Sequence, residues 1–597
     1  MQSKITRRGA IALTSSVALA PLIGCGEPGA KGPSVADQAF AALGTKWIGE
    51  YARLRPAGAT QLGDHRFDGE IDDVSAAGRA AKSALVKETT AALAAIDRTK
   101  LSRDNQVDAA MLSEQLEGET FSLDTLQDWA WDPLTYSSLA GGSLYSLVAR
   151  EFAPLPERLI NAASRMEKLP ELLAQTRTQL DPARVPFIHA QTYAGQNGGA
   201  ISIIDDLILA QASSLPPADL TRLQAAAEKA KAAVKEHQAW IDGTLIPNAK
   251  GDYKLGANYD TKLRLSISSP IARADLAAKA KADAIAIREE MFAIAEPLVK
   301  ASPISKLLPK LSGEAHKLAT IASALQIAAA QKPPRERLME DARKTLDEAT
   351  AYCRDHDIIT LPDAPVKIIE MPKFQQGVAV AYCDSPGPLD RGLETFYAIS
   401  PIPTDWTPAR VNSFLSEYNS HMLYELSVHE AMPGHYVQIW HSNKNPSTLR
   451  AVLGSGTFVE GWACYAEDVM IEAGFGADNP LRKLTNLKMR LRSVTNAILD
   501  QGVHVEGWDE ATAMRFMTTE GFQEEREAAG KWTRARVSSG QLSTYYVGWG
   551  EHHALRKDTQ AKWGADFSLK KYHDTVLSHG SPPARFVRQL MFEEPIA

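Results

Sequence analysis

An all-α protein, predominantly helical with one small extended segment, is what this sequence predicts, and three observations carry that reading. Apolar residues recur at three- and four-residue steps over long stretches. Alternating, strand-like runs are few. Prolines crowd into residues 361–404, where Pro362, Pro365, Pro372, Pro386, Pro388, Pro401 and Pro403 are interleaved with short apolar runs such as Val366-Lys-Ile-Ile.

The helical pattern covers about 77–97, 158–180, 220–240, 270–299, 313–331 and 334–354. At 270 the signals are Ser269 as N-cap and Pro270 as first helical residue, with Pro303 closing the segment that follows. Alanine-rich stretches such as Leu223–Val234 share no fixed period and read as helix surface, not as repeats. Residues 361–404 are expected as a β-hairpin or extended loops separating a helical N-terminal lobe, 41–360, from a C-terminal lobe, 361–597, that carries the chemistry, with a cleft between them.

The 597 residues suffice for a large buried core, and 44% hydrophobic with 23% charged residues is ordinary globular composition. Residues 1–25 read as an export signal, with Lys4, Arg7 and Arg8 ahead of a short apolar stretch without an acid. Arg7-Arg8 beside Thr6 resembles a twin-arginine signal, and Leu22-Ile-Gly-Cys25 resembles a bacterial lipobox, which implies lipidation of Cys25. An exported, periplasmic or cell-envelope lipoprotein follows, attached to a membrane through its lipid alone, with residues 26–40 as tether; cleavage without lipidation is the alternative. Losing three basic residues moves the net charge from −7 to −10, which argues against a nucleic-acid partner. The remaining cysteines, Cys353, Cys383 and Cys464, are widely spaced and read as unreactive thiols.

The most informative string follows Thr407-Pro408, a second N-cap and proline pair from which one amphipathic helix is expected through Tyr418, Met422 and Leu426 into His429-Glu-Ala-Met-Pro-Gly-His435. A zinc-peptidase helix carries HExxH, two histidines on one face with the glutamate as general base. Here the histidines are six apart, and ideal helix would leave them about 120° apart. Pro433-Gly434 can break that regularity, and a two-residue bulge would return His435 to the ligand position. Downstream, Glu460 and Glu467 lie two turns apart on one face of an expected helix. The first suits a third zinc ligand in an apolar setting of Phe458, Trp462 and Tyr465, and the second suits an acid that orients a histidine from behind.

His429-Glu-Ala-Met-Pro-Gly-His, Phe458-Val-Glu-Gly-Trp-Ala, Asp500-Gln-Gly-Val-His504, Gly540-Gln541, Tyr545 with Gly548, and Tyr572-His573-Asp574 to Ser578-His-Gly580 resemble the family called domain of unknown function 885, from about Asp64 onward. The resemblance implies a helical metallopeptidase of the gluzincin kind, often secreted or lipid-anchored. The chain departs from that family's pattern at Tyr436, where a second consecutive histidine is usual, and at Ser539, where proline is expected. A remoter similarity to thimet-oligopeptidase-like enzymes, whose Phe-Val-Glu glutamate ligates 25 residues after the second histidine, favours Glu460 over Glu467 as ligand.

The expectation is therefore Zn²⁺ held by His429, His435 and Glu460, with Glu430 as general base and a short or unfolded peptide as substrate. Tyr545, His573 and His579 are candidates for stabilising the oxyanion, each weighed against a purely structural role. Glu425 and Glu467 are placed behind the ligands, and His421 is assigned to structure. Arg534, Arg536 and Arg556 are candidates for a substrate carboxylate, against the commoner reading of surface arginine. A metal-dependent amidase acting on cell-wall or modified peptides, and a non-catalytic peptide-binding lipoprotein, are the alternatives. No GxSxG elbow, Walker loop or dinucleotide-binding glycine loop is present.

Overall fold

The computed structural model describes residues 32–364, 366–371, 381–390 and 392–596. Cys25, the Arg7-Arg8 pair, the first part of the expected tether, Pro365, Pro372 and the Val378-Ala-Val run lie outside them. The chain is predominantly helical, and the six expected helices form at Ala76–Ala94, Leu155–Gln179, Pro217–Trp240, Arg273–Ala301, Gly313–Ala329 and Leu338–Asp355. Their periodicity is what buries them: in Leu155–Gln179 the inward residues are Leu159, Ala162, Met166, Leu169 and Leu173, one stripe at three- and four-residue steps.

Local signals moved some boundaries. Residues 35–40 are not tether, because Ser34 and Asp37 form a capping box that starts the helix Val35–Leu54, and Phe40 is buried. Ser269-Pro270 precedes the next helix, which begins at Arg273 after Ala272 without a side-chain cap. The single helix expected from Thr407 onward is two, Pro408–Glu417 and Ser420–Glu430. Asn419 separates them, since its side chain accepts the N–H groups of His421 and Met422 and so starts a new helix.

The proline-rich segment holds a three-stranded sheet in place of a simple hairpin. Strands β1 (Lys367–Glu370), β2 (Ala381–Asp384) and β3 (Phe396–Ile399) lie in the order β1-β3-β2, with β1 parallel and β2 antiparallel to β3. This leaves β2 on an edge.

The apolar cores cut across the boundary expected at residue 360. Leu276, Ala280, Ala284, Ile287 and Met291 pack with Leu484, Leu487, Leu491 and Val494 of the helix Pro480–His504. Leu338, Ala342, Leu346 and Cys353 pack with Leu423, Val428, Phe458 and Trp462. Helices from before residue 360 thus form the backing of the motif helices, while residues 140–234 keep a core of their own. Among the described residues no helix is long and apolar enough to cross a membrane.

Candidate metal centre

His429 is the penultimate residue of the helix Ser420–Glu430, and His435 is the first residue of the next, His435–Ser442. The two histidines are brought together by a helix break, not by the bulge expected from the spacing. Ala431 leaves helical geometry, the Met432–Pro433 peptide is cis, and Gly434 donates its N–H to the Val428 carbonyl at 2.9 Å. Only glycine fits at 434, because a Cβ there would sit 1.9 Å from the His429 carbonyl oxygen. The Trp462 indole N–H donates to the Pro433 carbonyl at 2.9 Å, tying the break to the helix Gly456–Glu472.

That helix delivers Glu460. Its Oε2 lies 3.6 Å from His435 Nε2 and 3.9 Å from His429 Nε2, and the two imidazole rings stand nearly perpendicular with centroids 4.8 Å apart. Three ligands of one tetrahedral ion at about 2.1 Å sit about 3.4 Å from one another, so this donor set fits zinc in composition and spacing. Behind it, Glu467 accepts the Nδ1–H of His429 at 2.6 Å, which leaves Nε2 with a lone pair directed at Glu460 and His435. Glu467 is buried; burial and then the neighbouring Asp468 push its carboxyl well above the usual carboxylate range. Asp468 is held at about 2: burial opposes its charge, but His553 at 3.0 Å and Arg490 at 2.7 Å outweigh it.

Glu430 is buried and oriented by backbone: the N–H of Cys383 on the edge strand β2 donates to its Oε2 at 2.9 Å. Sequence reasoning missed this partner, and no residue pattern could have revealed a main-chain donor. It also missed Cys464, whose buried sulfur lies with His429 and Glu467 in a second group of metal-ligating atoms. The three cysteines among the described residues are free, with Cys353 and Cys464 buried. Glu425 is buried near Glu467 and accepts a 3.4 Å hydrogen bond from Asn486. His421 meets Gln331 at 3.1 Å.

The oxyanion candidates separate. Tyr545 lies one turn before Gly548 on the helix Thr544–Trp563, which crosses the glutamate helix so closely that a Cβ on Gly461 would meet Gly548 backbone at 2.3 Å. Burial and the charge of Glu460 raise the Tyr545 phenol, and Arg534 donates to its oxygen at 3.1 Å. His573 is not free to serve. Its Nδ1–H donates to the Ile358 carbonyl at 2.7 Å, its Nε2 accepts the Tyr465 hydroxyl at 2.9 Å, and burial lowers it to about 3. His579 caps the far end of the helix Leu569–Ser578, beside Arg450 and Asp104, and its carbonyl accepts from Arg450 at 3.1 Å. Both ring nitrogens of His573 are thus used in packing, and among the described residues neither histidine is grouped with the trio.

A cavity of about 750 Å³ lies among the N-terminal helices, and none of the candidate metal ligands lines it. Tyr145, Arg150, Tyr193 and Asn197 line it from the N-terminal helices, and Asp384, next to Cys383, lines it from β2.

A protein from Shewanella oneidensis, described as a proposed lipoprotein of unknown function, is 30% identical with a TM-score of 0.78 over 93% of this chain and 99% of its own. A proposed lipoprotein from Colwellia psychrerythraea shares the fold at 16% identity, with a TM-score of 0.76 over 94% of this chain and 99% of that one. No functionally curated protein matches the sequence. A match across residues 56–591 shows that the chain belongs to the family described as bacterial protein of unknown function (DUF885).

Proposed function

We propose that this protein is a zinc-dependent peptidase. The observation that carries the reading is the convergence of His429 Nε2, His435 Nε2 and Glu460 Oε2, with Glu430 beside the histidines and Glu467 behind one of them. Zinc bound there would supply Lewis acidity and a water acidified to a pKa of about 7. Glu430, one carboxylate oxygen held by the Cys383 N–H, takes the proton of the attacking water and passes it to the leaving amine. The Tyr545 hydroxyl, supported by Arg534, donates to the carbonyl oxygen as it gains charge. Glu467 fixes the tautomer of His429.

The lipobox-like Leu22-Ile-Gly-Cys25 and the description of both structural relatives as proposed lipoproteins support an exported protein anchored through Cys25. The test is metal content by mass spectrometry on the purified chain starting after Cys25. About one zinc per chain, lost in His435→Ala, is expected, together with cleavage in a peptide library that Glu430→Gln slows by about 10²–10⁴-fold while keeping its zinc. Failure to take up zinc would overturn the peptidase reading and leave a peptide-binding lipoprotein.

A further inference from the structure

The sequence offers Arg534, Arg536 and Arg556 as possible partners of a substrate carboxylate, and the structure treats them differently. Arg556 is paired with Glu472 at 2.6 Å, and Arg536 lies over the Trp532 ring and donates to that residue's carbonyl. Arg534 is exposed, and its Nη2 reaches only neutral groups, Gln541 Oε1 at 2.8 Å and the Tyr545 hydroxyl at 3.1 Å. No carboxylate pairs with it among the described residues. Its neighbours at this end of the molecule are spent: Arg490 on Asp468, and Arg492 on Glu527.

The segment that presents Arg534 is held by buried groups which have no other evident task. Arg534 stands in the last turn of the helix Glu525–Val537. The Nε2–H of His504 is shared between the carbonyls of Ala535 and Ser538, at 2.8 and 2.9 Å, closing that helix end. Gly540 then turns at a φ of 76° and donates its N–H to Asp500 at 3.0 Å, while Asp500 also accepts the Tyr259 hydroxyl. Asp500 and His504 are both buried. Three anchors therefore pin residues 535–541, and what they hold in place is Arg534, Gln541 and, four residues on, Tyr545. Tyr545, which Arg534 holds at 3.1 Å, stands one turn before Gly548, where its helix crosses the glutamate helix at Gly461, the residue after Glu460; the segment is thereby directed toward the candidate metal centre.

Resting on the peptidase reading, we infer that Arg534 is a specificity residue whose guanidinium fork receives a carboxylate of the substrate, so that peptides ending in a free C-terminal carboxylate close to the cleaved bond are preferred. A planar, permanently charged fork suits a carboxylate, and its N–H groups beyond Nη2 have no partner among the described residues. If Arg534 served only to hold Tyr545, its loss would slow every substrate alike.

The test uses the zinc-loaded full chain and one peptide in three forms: free C-terminal acid, C-terminal amide, and the amide ending in glutamate. The free acid should be cut about tenfold to a hundredfold better than the plain amide in kcat/KM, the range expected for a hydrogen-bonded charged contact. Arg534→Gln should bring that ratio near one, chiefly through KM, with Arg534→Lys between. Preference for the glutamate-ended amide, abolished by Arg534→Gln, would uphold the same site reading a side-chain carboxylate. Equal cutting of acid and amide by the wild type, or an equal loss on both in Arg534→Gln, would overturn the inference and leave the peptidase reading standing. If no form is cut, anisotropy of the labelled peptides on zinc-loaded Glu430→Gln decides: tighter binding of the acid, lost with Arg534→Gln, upholds the carboxylate site after the peptidase reading has fallen, and equal binding overturns both.

Discussion

The helices of residues 140–234 and those around Glu460 follow the same 3.6-residue periodicity, yet they bury opposite chemistry. The first interior is Leu144, Leu147, Leu159, Met166, Leu169, Leu173 and Val234. Of its buried arginines, Arg158 and Arg165, the second is bonded to the Ser143 and Glu70 carbonyls and to Thr60, all from neighbouring segments. The second interior places Glu425, Glu430, Glu467, Asp468 and His435 inside, beside Phe458, Trp462 and Tyr465. An apolar stripe stores stability, whereas buried acids give stability up unless each finds a donor. The contrast teaches that one helical scaffold can support a chemical site, provided the cost is borne by packing elsewhere.

Three measurements can break or sharpen that comparison, beginning with the largest effect. Leu159→Ala should destabilise the chain by about 2–5 kcal/mol in denaturant unfolding, because the side chain is fully buried, while zinc uptake per folded chain stays unchanged. Lost zinc with unchanged stability would refute the division of labour. Glu467→Ala should weaken zinc binding by about 10–100-fold in a chelator competition, since His429 loses the acceptor that fixes its ring. An unaltered affinity would show that the ring is held by packing alone.

The smallest effect is confined to acid pH. Asp468 is held at about 2 in the fold against an ordinary 3.8, so its ion pairs stabilise the native state above that ordinary value, and the contribution is lost as pH falls through about 2. The stability gap between wild type and Asp468→Asn should therefore be constant near neutrality and narrow between pH 4 and 2 in urea titrations. A gap independent of pH would mean that the asparagine loses packing, not charge.

Much of the site was legible because its chemistry is written in residue types. His429, Glu430, His435, Glu460 and Glu467 stand out by spacing, and the structure places His435 and Glu460 within 3.6 Å. The role of Gly434 was legible only as permission to bend; whether the chain bulged or broke depended on the local bond to the Val428 carbonyl together with the Trp462 bond, which comes from another helix. The setting of His573 was hidden, because a histidine in a family motif looks the same in sequence whatever its ring bonds, and here the ring bridges Ile358 and Tyr465. The sheet order was equally hidden, since β1 reaches β3 past β2 and short strands carry no record of their neighbours.

By itself the sequence determined the helical class, most helix positions and the candidate donor residues, because periodicity, caps and ligand chemistry act over a few residues. Only the tertiary structure decided which donors meet, that Cys383 orients Glu430 from an edge strand, and that Asp500 and His504 hold the segment bearing Arg534. Those contacts join residues from about 30 to 50 positions apart, and packing alone selects them from the many partners the chain could offer.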